Sequence, residues 1–233
     1  MHGPRGIPIG RYIWGPVLRF LIRLFLKIEM TGLEHLPKTG AGIIYYNHIH
    51  WLDPVLISAK LPRYAVPLAK METSRWPIIG VLIRWYPVIF ITRGAVDREA
   101  LKATWDVLAK GHIATISPEG TRSPDMCLQR AKEGLAFVAK QAQGAWLIPC
   151  AVQGTPSFSW SLKAFLHHPI VTLRFGPAFS LSWPERPDRE VLREMTDEAM
   201  VQLAQLLPTE MRGDYADGDP QQHKWLAFMK AGN

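Results

Sequence analysis

From residue 31 onward, short continuous apolar runs alternate with longer segments whose apolar positions recur at helical spacing. The runs "GIIYYN" (42–47), "PVIFITR" (87–93), "HIATISPEG" (112–120), "WLIPCAVQG" (146–154) and "IVTLRFG" (170–176) are rich in branched and aromatic residues. Gly, Pro or polar clusters bound them, which predicts buried strands, the third running out into a loop. Helices are predicted for "PVLISAK" after Asp53, "SRWPIIGVLIRWY" (74–86), "DREALKATWDVLAKG" (97–111), "RAKEGLAFVAKQAQG" (130–144) and "DREVLREMTDEAMVQLAQLLP" (188–208). Asp97 stands as an N-cap and Gly111 as a C-terminal stop. This alternation predicts a single α/β domain over 31–210, with a mostly parallel central sheet flanked by helices. The tail, 211–233, is expected to be only partly ordered.

Ahead of that domain, residues 1–30 read differently. Gly15 and Pro16 suit a helix start, and the chain then runs "VLRFLIRLFLKIEM". Arg19, Arg23 and Lys27 recur every four residues, each about 40° further round a helix. Phe20, Leu21, Leu24, Phe25 and Ile28 occupy much of the rest. The segment is short for a spanning helix and carries three cations. The pattern predicts an amphipathic helix lying in the membrane interface, its basic stripe near lipid phosphates. An amphipathic helix packed on the domain is the alternative.

Charge and cysteine usage narrow the picture. Twenty-seven Lys and Arg against 20 Asp and Glu give a net charge of +7, which favours an anionic partner. Nucleic acid is the weakest candidate, because the clearest basic stripe lies on an apolar helix rather than beside stacking aromatics. Cys127 and Cys150 do not suggest a disulfide framework and fit a reducing compartment. No compact apolar region ends in a small-residue cleavage site in "MHGPRGIPIGRYIWG", so no secretory signal is expected.

In parallel α/β sheets ligands bind beyond the carboxyl ends of the strands. The polar clusters "NHIHWLD", "TRG" and "SPEGTRS" all fall there. On one continuous helix His48 and Asp53 would lie roughly 140° apart, so they meet only across a turn. "DP" supplies one, as an N-cap followed by proline at the first helical position. His48 then sits in a loop facing a carboxylate at the helix entrance. Such a carboxylate fixes the imidazole tautomer and leaves the other ring nitrogen free to take a proton. A zinc reading of His48, His50 and Asp53 competes, but the aspartate comes one position late for that signature and no histidine follows it.

The blocks "NHIHWLD" (47–53), "VIFITRG" (88–94), "ISPEGTRS" (116–123) and "LIPCAVQG" (147–154) occur in this order. Together they closely resemble the glycerolipid acyltransferase family, in particular its 1-acylglycerol-3-phosphate acyltransferases with their NHxxxxD motif. Lys132 and Gly134 match the family's K-x-G pattern further on. Carried over, the resemblance implies His48 as general base and Asp53 as its orienting partner. It places Arg93, Glu119, Gly120, Thr121 and Arg122 in acceptor binding, Glu119 by orienting an arginine or taking an acceptor hydroxyl. Ser117 and His50 depart from residues common in the family, with His50 expected as a hydrogen-bonding neighbour. The implied reaction moves a fatty acyl group from acyl-CoA or acyl carrier protein to a lysophospholipid hydroxyl, with lysophosphatidic acid as the expected acceptor. The acyl donor is a cosubstrate and no resident cofactor or metal is implied. Membrane lipid is the expected partner, with peripheral or monotopic attachment at the cytoplasmic face of the cell membrane. Other lysolipid or glycolipid acceptors, a metal-dependent hydrolase and a non-catalytic lipid-binding module are the alternatives.

Overall fold

The structure is a computed structural model that describes residues 9–71, 86, 88–92, 97–142, 144–157 and 166–229. Helix α1 (Ile9–Phe25) precedes strands β1 (Lys27–Thr31) and β2 (Gly42–Tyr46). Helix α2 (Asp53–Lys60), strands β3 (Ala65–Lys70) and β4 (Ile89–Ile91), α3 (Arg98–Ala109) and β5 (Ile113–Ile116) follow. Next come α4 (Gly134–Gln141), β6 (Trp146–Gln153), β7 (Ile170–Phe175), β8 (Phe179–Leu181), α5 (Arg189–Gln205) and β9 (Leu226–Phe228).

The strands form one sheet in the order β1-β7-β6-β2-β5-β3-β4, with β8 beside β6 and β9 beside β8. β6, β2, β5, β3 and β4 run parallel, whereas β7 and β8 join β6 antiparallel. All five residues of β2 are buried, because helices cover both faces of the sheet. Ile43 and Tyr45 face a cluster with Leu135 and Val138 of α4 and Met195 and Leu203 of α5. Ile44 and Tyr46 face the other, with Ile22 of α1 and Leu56 and Ile57 of α2. Each fully buried aliphatic side chain there contributes about 1.5–3 kcal/mol. This is the expected α/β domain.

At the amino ends of the parallel strands Arg63 donates to the carbonyls of Pro37 (2.9 Å), Thr39 (3.1 Å), Gly40 and Gly111 (2.9 Å). Its guanidinium lies 5.4 Å from the centre of the Trp146 ring. One planar fork thus ties the entrances of β2 and β5 together, at the ends of these strands opposite the site.

Several boundaries differ from expectation. Helix α1 begins at Ile9, so Pro16 lies inside it rather than at its start. It ends at Phe25, and Lys27 belongs to β1, where it pairs with Glu29 at 2.8 Å. Only Arg19 and Arg23 of the supposed triple stripe are therefore helical. Ile22 and Leu26 are buried and Leu18, Phe25 and Ile28 pack against the α2 side of the core, while Val17 and Phe20 are exposed. One face of the helix is thus packed on the domain, as the alternative reading expects, and the other is exposed. β1, β3, β8 and β9 were not expected. Nor was the order of the tail: Tyr215 and Trp225 are buried and β9 extends the sheet. Helix α4 starts at Gly134 because the residues before it are committed elsewhere, Ala131 N–H to Tyr215 and Lys132 N–H to Pro118. The helix expected over 74–86 lies outside the described residues except for Tyr86, whose hydroxyl donates toward the Ser58 (3.2 Å) and Ala65 (3.0 Å) carbonyls.

Candidate active site

Strand β2 delivers the site. At its carboxyl end Asn47 is buried and grips β6 with both amide atoms: Val152 N–H donates to Oδ1 at 2.7 Å, and Nδ2 donates to Val152 O at 2.9 Å. The chain then leaves the sheet at His48 and doubles back, with Asp53 N–H donating to the His50 carbonyl at 3.2 Å.

Asp53 opens α2 with Pro54 behind it, as "DP" predicts, but its carboxylate does not cap the helix. It turns back into the loop instead. Oδ2 accepts from Ile49 N–H (2.9 Å), His50 N–H (2.7 Å) and His48 Nδ1 (3.0 Å). Asp53 is fully buried, and the His48 side chain is 16% exposed. A carboxylate oxygen can only accept, so Nδ1 carries the proton and Nε2 the lone pair. His50 Nδ1 accepts from Leu52 N–H at 3.4 Å, a neighbour's role. Burial pushes the His50 imidazole below its usual range; Asp53 opposes this, while Arg122 and His48 add to it. No three His, Cys, Asp or Glu side chains form a metal cage among the described residues.

The second contribution comes from the loop after β5. Gly120 has φ +69°, where a side chain is strained, and a Cβ there would press on the Lys132 side chain at 3.1–3.3 Å. Arg122 is exposed at the mouth of a cleft of about 190 Å³, which His48, Trp51, Lys70, Ser117 and Gly120 also line. Thr121 and Lys132 line an adjoining, larger groove of about 840 Å³ that runs between α3 and α4. Leu68, Ile91, Ile116, Ser117 and Gly120 border both spaces.

Among the described residues Glu119 pairs with no arginine, and it lines neither the cleft nor the groove. It is buried, with Oε1 accepting from His48 N–H at 2.8 Å and Oε2 from Gln129 N–H at 3.0 Å. Ser123 N–H completes the bracket by donating to His48 O at 2.7 Å. Burial pushes the Glu119 carboxyl up to about 7; the two N–H donors pull it down, and nearby Asp53 and Asp125 add to the rise. Arg93 lies outside the described residues.

The structure therefore brings His48, Gly120 and Arg122 to one cleft, with Thr121 beside it and Asp53 and Glu119 buried behind. Sequence reasoning gave no role to Asn47, Lys70 or the N–H groups that Glu119 holds. Lys132 matched a pattern, but nothing in its spacing placed it over Gly120.

The chain is similar to known proteins. Over 157 residues the chain is 29% identical to a 1-acyl-sn-glycerol-3-phosphate acyltransferase of Borreliella burgdorferi, covering 63% of this chain and 62% of that protein. The chain thus spans about six tenths of that relative's length. A Bacillus subtilis protein of the same name is 24% identical over 191 residues, covering 81% of this chain and 92% of the relative. The crystal structure of the 1-acyl-sn-glycerophosphate acyltransferase PlsC from Thermotoga maritima shares the fold, with a TM-score of 0.58 and 24% identity over 82% of this chain and 77% of that one. Residues 27–153, more than half of the sequence, match the model of the acyltransferase family. The chain belongs to that family.

Proposed function

We propose that the protein transfers a fatty acyl group from acyl-CoA or acyl carrier protein to the hydroxyl of a lysophospholipid, 1-acyl-sn-glycerol-3-phosphate being the preferred acceptor and phosphatidic acid the product. The observation that carries this reading is the 3.0 Å contact of His48 Nδ1 with the buried Asp53 carboxylate, at a cleft with Arg122 and Lys70 on its walls. As the acceptor oxygen attacks the thioester carbonyl, His48 Nε2 takes its proton, and Asp53 stabilises the imidazolium that forms. Collapse of the tetrahedral adduct expels the thiolate, which recovers that proton from His48. General base catalysis of this kind contributes about 10²–10⁴-fold, and holding donor and acceptor together supplies much of the rest. The thioester is reactive enough to need no resident cofactor. Arg122, and Arg93 by resemblance, suit a phosphate through fork-like, charge-assisted hydrogen bonds.

The test is purified protein with labelled acyl-CoA or acyl carrier protein and a panel of lysolipids. Labelled phosphatidic acid is expected to form fastest. A faster lysolipid or glycolipid would keep the chemistry and replace the acceptor; thioester hydrolysis without transfer to any acceptor would end the reading.

Membrane attachment belongs to the same proposal. Val17 and Phe20 point outward from α1 beside Arg19 and Arg23. Lys60 lies close enough that burial first, then Arg23 and Arg19, pushes its ammonium below its usual range. No helix among the described residues is long and apolar enough to cross a membrane. A surface helix of this kind docks by apolar insertion and by about 1 kcal/mol per cation at anionic lipid. Arg19→Glu combined with Arg23→Glu is expected to weaken sedimentation with phosphatidylglycerol vesicles by about tenfold or more. Binding equal to that of the wild type would remove α1 from the docking surface.

A further inference from the structure

Residues 117–133, which carry Glu119, Thr121 and Arg122, contain no helix or strand. Their position depends on what lies on either side. Toward the cleft, Gln129 N–H holds Glu119, and Glu119 holds His48 N–H. Away from it, the loop rests on two 3-10 turns near the C-terminus, Thr209–Met211 and Gly213–Tyr215. Leu128 N–H donates to Met211 O at 2.9 Å, and Asp214 N–H donates to Leu128 O at 3.1 Å. Ala131 N–H donates to the Tyr215 hydroxyl at 2.9 Å, which in turn donates to Asp197 Oδ1 on α5 at 3.0 Å. Gly213 has φ +48°, and a Cβ there would fall 2.0 Å from Leu128 O. The backbone is pressed directly onto the loop. These turns lie beyond residues 27–153, the span matched by the family model.

We propose that Tyr215 is a positioning residue for the His48 cleft: its hydroxyl anchors Ala131 and, through Gln129 and Glu119, sets the backbone height of His48. The inference rests on the acyl-transfer reading for its kinetic consequence, though not for its structural one. Gln129 lies between two anchors, Leu128 and Ala131. Release of Ala131 lets Gln129 drift, and Glu119 and His48 move with it. A shift of about 1 Å at a reacting group costs up to about a hundredfold in rate.

Tyr215→Phe keeps the ring in place and leaves the Ala131 N–H without its acceptor. Its expected effect is a fall of about 10- to 100-fold in kcat/KM for the acceptor, with the acyl-donor KM unchanged and a Tm lower by only a few degrees. Amide exchange is expected to quicken over 119–132 and at His48. Asp197→Ala, which releases the Tyr215 hydroxyl from α5, should reproduce the pattern if the first variant folds poorly. Trp225→Leu is the structural control. It lies on the same tail but bonds to Glu194 and Glu198, so it should lower Tm and leave kcat/KM within about twofold. Near-wild-type turnover by Tyr215→Phe overturns the inference, as does an equal kinetic loss in Trp225→Leu. If the wild type acylates no lysolipid, the functional reading fails separately and the exchange measurement decides the anchor. Unchanged protection at His48 and Gln129 would then refute it.

Discussion

His48→Ala is expected to reduce kcat by about 10²–10⁴-fold and leave the fold intact, since the side chain lines a cleft and meets the core only through an edge contact with the Tyr46 ring. Asp53→Asn separates two contributions of the same pair. An asparagine oxygen at the Oδ2 position still accepts from His48, Ile49 and His50, so the loop and the tautomer survive. What disappears is the negative charge beside the imidazolium. Over roughly 4–5 Å between the delocalised charge centres, with an effective dielectric near 20, that charge contributes about 3–4 kcal/mol, or roughly 10²–10³ in kcat. The asparagine NH₂ then occupies the Oδ1 position, which has no partner among the described residues in the wild type either, so little stability is lost there. Steady-state kinetics and thermal melts of both variants, run with saturating acceptor, check this. Turnover at the wild-type level in either one would remove the proposed base.

The second large effect concerns Glu119. Its carboxyl titrates at about 7 in the folded protein and at its ordinary value near 4.5 when unfolded. Between those two values the folded state holds the proton that the unfolded state releases, so stability falls as pH rises. The loss amounts to about 3 kcal/mol by pH 8. Glu119→Gln lacks this titration, and its unfolding free energy should change correspondingly less between pH 4 and pH 8 in urea melts. The variant meets one of its two N–H partners with an NH₂ group, which displaces His48 or Gln129 and lowers kcat/KM by about 10- to 100-fold. Parallel pH–stability curves for variant and wild type would show that the buried carboxyl is not the titrating group.

The parallel sheet and the His48–Asp53 meeting were both legible, because they follow from local features. Apolar runs of strand length marked β2, β5 and β6, and a turn before "DP" had to bring residues five apart together. The carboxylate's true partners were not legible. A helix cap and a loop bracket share the same aspartate before the same proline, and only the path of residues 49 and 50 distinguishes them. The partners of Glu119 were hidden for a similar reason. An acid beside Arg122 suggests an ion pair, whereas among the described residues it holds backbone groups at His48 and Gln129 that no side-chain pattern announces. β1 was hidden because "KIEMT" continues a helical run of cations, and what ends the helix is its pairing with β7, far along the chain. β8 and β9 have three residues each, too few for periodicity to register, and they are defined by each other.

Helix α2 carries Asp53 at its first residue and packs Leu56 and Ile57 into the cluster that holds Ile22 of α1 and Leu26 just beyond it. It is eight residues long, about 12 Å from end to end. With α1 resting on a bilayer, the imidazole would ride at a height set by one short rigid rod. The enzyme would then gauge how far a lipid's hydroxyl rises above the acyl layer before any head-group contact is made. Swapping small for large residues along the α1–α2 seam would tilt that gauge without touching the chemistry.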